Sequence, residues 1–130
     1  MAGELILIIE DHEKNLKLVR DLLQVKGYRT LEAGTAELGI ELARRHTPQL
    51  ILMDIQLPGM DGVAALGQLK ADPSTTSIPV IALTAFAMPD DRQRVHSAGF
   101  DGYLVKPINI RELLEVVQAG CARQGAPRQY

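Results

Sequence analysis

The sequence predicts an α/β fold, a doubly wound five-stranded parallel sheet with helices on both faces. Short apolar runs alternate with amphipathic helical stretches along the chain, and several of the runs end in a polar residue. Continuous apolar runs are typical of strands that are buried on both faces of a parallel sheet. The chain has 130 residues, 46% of them hydrophobic, which is enough for one core, so we expect one folded domain.

Five strands and five helices follow from this pattern. The strands are expected at residues 5–9, 28–33, 50–53, 79–83 and 102–105. The helices are expected at about residues 15–26, 35–45, 63–70, 89–97 and from 110 onward. The second strand is less apolar than the others and is therefore predicted to lie at an edge of the sheet. Thr35 can cap the second helix, and Gly27 can end the first.

Polar residues stand where the strands end. Glu10 and Asp11 follow the first strand, Asp54 ends the third, Thr84 ends the fourth and Lys106 follows the fifth. In a sheet of this kind, ligands bind outside the carboxyl ends of the strands, near the switch in strand order. We therefore expect three carboxylates, one hydroxyl and one ammonium group to meet in one shallow cleft.

This combination of groups points to phosphoryl transfer assisted by Mg²⁺. Clustered carboxylates repel one another unless a cation lies among them, and hard oxygen ligands favour Mg²⁺. A carboxylate beside a metal ion and a lysine can attack phosphorus, while the cations neutralise the transferring oxygens. No Cys/His set has zinc spacing, and His12, His46 and His96 are predicted to be surface or structural residues rather than ligands.

Composition excludes several other classes of protein. The net charge is −2, so we expect neither direct DNA binding nor attraction to a membrane surface. No apolar run approaches the ~20 residues that span a bilayer, and the N-terminus does not resemble a secretory signal. Cys121 is the only cysteine, so no internal disulfide forms; we expect it to be buried and inert in a cytoplasmic protein.

Four segments make the sequence recognisable. They are Glu10-Asp11, residues 53–62 (MDIQLPGMDG), Leu83-Thr84-Ala85 and residues 102–107 (GYLVKP). In this order and spacing the chain resembles the receiver domain of two-component response regulators, from about Glu4 to Ala122. The run TAFAM at residues 84–88 is similar to single-domain regulators and to receivers fused to hybrid histidine kinases.

The resemblance implies a flavodoxin-like (βα)5 fold with strand order 2-1-3-4-5. The receiver domain is expected at residues 1–124, with a short C-terminal tail at 125–130. In such a protein Asp54 accepts the phosphoryl group from a histidine kinase or a histidine phosphotransfer protein. Mg²⁺ is expected on Asp11, on Asp54, on the backbone carbonyl of Gln56, and on Glu10 either directly or through water. A cis peptide is expected at Lys106–Pro107.

Further roles are implied by position. Thr84 and Lys106 are expected to contact the phosphoryl oxygens, and Tyr103 occupies the position of an aromatic switch. Gln56 and Phe86 flank the approach of water to the acyl phosphate and are expected to tune its lifetime, with slow self-dephosphorylation. Such a domain catalyses only its own phosphorylation and dephosphorylation. Output is expected by protein–protein contact through the fourth helix, the fifth strand and the fifth helix.

Two alternatives have different requirements. A haloacid dehalogenase-type phosphohydrolase also uses an aspartate nucleophile and Mg²⁺, but it needs a second aspartate two residues after the first. Gln56 stands there in this chain. A flavodoxin-like flavin carrier needs a first loop rich in Ser, Thr and Gly to hold a phosphate. Here that loop is Glu10-Asp11-His12, whose carboxylates repel a phosphate.

Overall fold

The computed structural model of the protein describes residues 3–57, 59–85 and 89–125. Strands and helices alternate throughout. The strands are Leu5–Ile9 (β1), Arg29–Ala33 (β2), Leu50–Asp54 (β3), Val80–Thr84 (β4) and Gly102–Val105 (β5). The helices are Glu13–Val25 (α1), Ala36–His46 (α2), Gly62–Ala71 (α3), Pro89–Ala98 (α4) and Ile110–Gly125 (α5). Phe86 and tail residues 126–130, for which the sequence makes predictions, lie outside the described residues.

All neighbouring strands are parallel, and the order across the sheet is β2-β1-β3-β4-β5. This confirms the predicted fold class and strand order, and it places the less apolar β2 at an edge. The register pairs Ile9 with Met53 and Asp54 with Leu83. The carboxyl ends of the three central strands therefore lie side by side, and the polar residues that follow these strands are brought together.

Alternate residues of each central strand face opposite sides of the sheet, which gives two separate cores. On one side, Leu7, Ile9, Ile51 and Met53 pack with apolar residues of α2, α3 and α4. On the other side, residues such as Ile8 pack with apolar residues of α1 and α5. Because both faces are covered by helices, the central strands are apolar throughout, as the sequence pattern predicted.

The helix boundaries differ from the prediction where a cap was not recognised. Thr35 caps α2 as expected, its hydroxyl accepting from the amide of Leu38 at 3.1 Å. Asp61 caps α3 in the same way, accepting from Ala64 at 2.8 Å. His12 occupies the N-cap position of α1, and its side chain makes no capping hydrogen bond there.

The buried residues of α5 lie along one face of the helix. Ile110 is the first residue of the helix and is 50% exposed. Leu113, Val117 and Cys121, spaced four apart, are buried. The expected burial of Cys121 is confirmed, and desolvation raises the pKa of its thiol to about 11. Within the described residues, no helix has the length and apolar character needed to cross a bilayer.

Candidate functional site

The sheet places the predicted polar residues together at the carboxyl ends of its parallel strands. Glu10 directly follows β1, and its amide donates to the carbonyl of Ala33 at 2.9 Å. Asp54 is the last residue of β3, and Thr84 is the last residue of β4. Lys106 directly follows β5, and its amide donates to the carbonyl of Thr84 at 2.7 Å. Hydrogen bonds between neighbouring strands therefore extend one residue beyond β1 and β5, and they fix the backbone positions of Glu10 and Lys106.

The Asp54 carboxylate is held through both of its oxygens. The side chain is almost fully buried, and Lys106 Nζ donates to Oδ2 at 2.8 Å. The backbone amide of Gln56 donates to Oδ1 at 2.8 Å. The two hydrogen bonds come from segments far apart in the chain, one from the residue after β5 and one from the loop after β3. They fix the orientation of a carboxylate that solvent scarcely reaches.

Glu10 lies beside Asp54 and shares its lysine. The residue is 1% exposed; Lys106 Nζ lies 3.1 Å from Oε1 and 3.0 Å from Oε2. The contact at Oε2 has the distance of an ion pair, but Oε2 has no hydrogen bond within the described part of the chain. Burial raises the pKa of Glu10; the hydrogen bond from Lys106 opposes this shift, and the nearby charge of Asp54 adds to it.

Lys106 is the cation of the cluster. Burial alone would lower the pKa of its ammonium group. The hydrogen bonds that it donates to Asp54 and Glu10, together with their charges, outweigh burial, so the pKa is raised. The lysine therefore stays charged, and one positive charge faces two buried carboxylates. With Asp11 nearby, negative charge exceeds positive charge at this edge of the sheet.

Asp11 and His12 form the solvent side of the cluster. His12 Nδ1 lies 3.2 Å from Glu10 Oε1 and 3.4 Å from Asp11 Oδ1. One donor atom from each of Glu10, Asp11, His12 and Asp54 can be chosen so that all four lie within 4.8 Å of one another. His12 was not predicted as a site residue. Its position directly after the acidic pair at a strand end is the signal that points to it.

The chemistry of these groups fits a hard divalent cation. Three carboxylates offer the oxygen ligands that Mg²⁺ prefers, and one ammonium group leaves part of their charge uncompensated. A buried oxygen without a hydrogen bond costs free energy, and Glu10 Oε2 is such an atom. A cation among these oxygens would relieve the repulsion and coordinate Oε2, which faces Lys106 at ion-pair distance without a hydrogen bond.

The remaining predicted residues are placed as follows. Thr84 is buried at the end of β4, and Tyr103 is half-buried and packs against the core on the α2–α4 side. Gln56 is exposed in the loop after β3. The Lys106–Pro107 peptide is cis, as expected. Phe86 lies outside the described residues, so its proximity to the others stays a prediction.

Comparison with known proteins decides the family. The sequence model of the response regulator receiver domain matches residues 6–118. The chain belongs to the response regulator receiver domain family. It is 43% identical over 114 residues to the polar-differentiation response regulator DivK of Brucella ovis, covering 88% of this chain and 93% of that protein. DivK of Brucella abortus strain S19 gives the same values.

Solved receivers share this structure. One is the receiver domain of the sensor histidine kinase PA1611 from Pseudomonas aeruginosa, with a TM-score of 0.86, 34% identity, and coverage of 93% of this chain and 99% of that chain. That crystal structure has a magnesium ion coordinated in its active site cleft. Another is the chemotaxis response regulator CheY4 of Vibrio cholerae, with a TM-score of 0.84, 26% identity, and coverage of 92% and 98%.

Family membership decides between the functions considered from the sequence. Receiver domains of response regulators are two-component signalling domains that interact with histidine kinases or phosphotransfer proteins. The family is in general not one of true enzymes. These relatives give no support to the haloacid dehalogenase alternative, and Gln56 stands where that class needs its second aspartate.

Proposed function

We propose that this receiver is a phosphorylation switch in a two-component phosphorelay and that Asp54 is its phosphoacceptor. The observation that carries the proposal is the position of the Asp54 carboxylate. It lies at the carboxyl end of a central strand, 2.8 Å from the ammonium group of Lys106 and within 4.8 Å of donor atoms on Glu10 and Asp11. Nucleophile, cation and candidate metal ligands therefore share one site.

The transfer proceeds by nucleophilic attack of an Asp54 oxygen on phosphorus. The new oxygen–phosphorus bond forms as the bond from phosphorus to the donor's histidine nitrogen breaks. Lys106 neutralises charge on the phosphoryl oxygens, and its raised pKa keeps it protonated for this purpose. Thr84, buried at the end of the neighbouring strand, donates its hydroxyl to the same group after transfer. The hydrogen bond from Gln56 orients the nucleophile before transfer.

Mg²⁺ belongs to this proposal as the cofactor. Asp11 and Asp54 would hold the ion with the backbone carbonyl of Gln56, and Glu10 would complete the site directly or through water. When bound, Mg²⁺ neutralises charge on the transferring phosphoryl oxygens. The exposed position of Asp11, beside a buried Glu10 and Asp54, leaves the ion a path from solvent.

The proposed partners are a phosphoryl donor, which family membership indicates, and a downstream protein that binds one surface of the domain. A histidine kinase or histidine phosphotransfer protein supplies the phosphoryl group in the cytoplasm. A downstream protein reads the surface formed by α4, β5 and α5, and neither DNA nor a membrane is contacted directly. Tyr103 connects the phosphorylation of Asp54 to the surface that the downstream protein reads, because it is half-buried on β5, the strand that precedes Lys106. Self-catalysed phosphorylation and dephosphorylation are the only chemistry proposed.

Phosphorylation by acetyl phosphate in Mg²⁺ tests the proposal. Intact-mass measurement should show one phosphoryl adduct on the wild-type chain and none on Asp54→Asn. Asp21→Asn is the matched control, since Asp21 is an exposed aspartate on α1 and should leave the adduct in place. An adduct that persists on Asp54→Asn would place the acceptor elsewhere.

A further inference from the structure

His12 is part of the donor cluster, although the oxygen chemistry of phosphoryl transfer does not require it. We propose that His12 is a nitrogen ligand at this site and that it raises the affinity for borderline transition-metal ions such as Ni²⁺ relative to the affinity for Mg²⁺, which remains the ion of the proposed phosphoryl transfer. The inference rests on the proposed metal site and concerns which ion that site prefers. It adds a metal-binding property that the phosphorylation switch alone does not need.

The four donor atoms lie close to the separation that one shared ion requires. Two ligand atoms, each about 2.1 Å from one ion, are at most about 4.2 Å apart. Donor atoms of His12, Glu10, Asp11 and Asp54 lie within 4.8 Å of one another. Side-chain movements of about half an ångström would therefore let one ion contact all four residues. The Nδ1 atom is already 3.2–3.4 Å from oxygens of Glu10 and Asp11.

The side chain of His12 does not cap the helix at whose start it stands. His12 is the N-cap residue of α1, a position that favours Ser, Thr, Asp or Asn because their oxygens bond the first helical amides. Its backbone has the extended geometry of a cap, but the ring makes no capping hydrogen bond. The ring turns towards the carboxylates instead, and 68% of the side chain is exposed to the solvent from which an ion arrives.

Glu10 supplies buried carboxylate oxygens to the same donor cluster. Glu10 is 1% exposed, and its Oε2 atom has no hydrogen bond within the described residues. A buried, incompletely satisfied carboxylate in contact with an imidazole nitrogen is a mixed oxygen–nitrogen donor set. Imidazole suits Zn²⁺, Ni²⁺ and Cu²⁺, whereas carboxylate and water suit Mg²⁺. Affinity should therefore rise from Mg²⁺ to Ni²⁺ more steeply than at an all-oxygen site.

Calorimetric titration of the full chain with Ni²⁺ and with Mg²⁺ tests this inference. The readout is the ratio of the two affinities, which should fall at least about tenfold in His12→Asn. Asparagine suits the N-cap position, so the variant should fold. His46→Asn is the matched control: His46 lies exposed at the end of α2, and its loss should leave the ratio unchanged.

A second measurement identifies the ligand directly. In the Co²⁺ form, proton NMR should show one strongly shifted imidazole N–H signal that is missing in His12→Asn and present in His46→Asn. An unchanged affinity ratio in His12→Asn, or an equal fall in His46→Asn, would overturn the inference. Undiminished Ni²⁺ binding by Asp11→Asn would also overturn it, since the ion would then lie elsewhere. Acetyl phosphate labelling of Asp54 in Mg²⁺ reports on the proposed function separately.

Discussion

The ammonium group of Lys106 lies 3.1 Å from Oε1 of Glu10, although 96 positions separate the two residues in the chain. The contact joins the end of β1 to the end of β5 across the carboxyl ends of β3 and β4, which lie between them in the sheet. The same ammonium group also bonds Asp54, so after removal of either carboxylate the other remains bonded to it. The charged form of Glu10 is nevertheless disfavoured in the folded protein, because burial raises the pKa of this carboxyl.

Glu10→Gln should therefore stabilise the metal-free protein at neutral pH. A carboxyl whose folded-state pKa lies above its ordinary value of 4.5 contributes stability below that value and loses it as pH rises through the raised pKa. Glutamine resembles the protonated acid and avoids that loss. We expect a gain of about 1 kcal/mol in the free energy of unfolding at pH 7, a typical size for one substitution.

Urea unfolding in EDTA at several pH values measures this effect. The difference between Glu10→Gln and wild type should shrink as pH falls towards 4.5, where Glu10 becomes protonated in both folded and unfolded states. Glu115→Gln, which removes an exposed charge from α5, is the control. A Glu10→Gln variant that is less stable than wild type at pH 7 would show that the ion pair with Lys106 outweighs burial.

Asp11→Ala should remove the effect of Mg²⁺ on the free energy of unfolding. An ion that binds only the folded chain raises the free energy of unfolding by about 1.4 kcal/mol at ten times its Kd. We expect this rise in wild type and none in Asp11→Ala, together with loss of Mg²⁺-dependent phosphorylation. Without metal, the variant should be slightly more stable than wild type, because one of three clustered carboxylates is gone. Thermal unfolding with and without Mg²⁺ tests both statements; a rise retained in Asp11→Ala contradicts the metal assignment.

The fold is predictable from the sequence because its strongest signals are local. The apolar runs of β1, β3 and β4 are buried on both faces and so show no alternation, and the polar residue after each run marks the strand end. The meeting of Asp54, Thr84 and Lys106 at one edge then follows from parallel strand direction alone. Here local pattern and global topology agree.

The remaining features depend on contacts that a linear pattern does not contain. The bond between Glu10 and Lys106 requires knowledge of side-chain reach across the sheet. His12 was predicted to be a surface or structural residue; it is 68% exposed, but its contacts with the carboxylates of Glu10 and Asp11 were not predicted. Ile110 fits the helical period but lies at the first residue of α5, where it is half exposed.

Two glycines of α3 should respond in opposite directions to alanine. At Gly62, a Cβ atom would lie 2.5 Å from the backbone Cα of Ile55, which cannot move aside without shifting the loop that contains Gln56. Overpacking of this kind costs about 1–3 kcal/mol. At Gly67, nothing lies within 4 Å of a Cβ, and alanine in a helix interior should stabilise by about 0.5–1 kcal/mol.

Chemical denaturation of Gly62→Ala and Gly67→Ala compares the two sites directly. The Gly62 variant should also phosphorylate more slowly, because the amide of Gln56 that orients Asp54 belongs to the displaced loop. The Gly67 variant should phosphorylate at the wild-type rate. Equal stabilities for the two variants would mean that the Ile55 loop adapts to the added methyl group.

Tyr103 should change position when the site is phosphorylated. Its ring is half-buried against the core on the α2–α4 side, and Thr84 lies on the adjacent strand β4, where the register pairs it with Val105. A doubly charged group on Asp54 attracts the Thr84 hydroxyl, and the space that this side chain leaves admits the Tyr103 ring. The result is a population shift between two states of the α4–β5–α5 surface.

Crystal structures with and without beryllofluoride, which stands in for the phosphoryl group, should show the Tyr103 ring turned inward only when beryllofluoride is bound. The same experiment on Asp54→Asn should show no difference, and a Tyr103 ring that stays in place on wild type would contradict the switch.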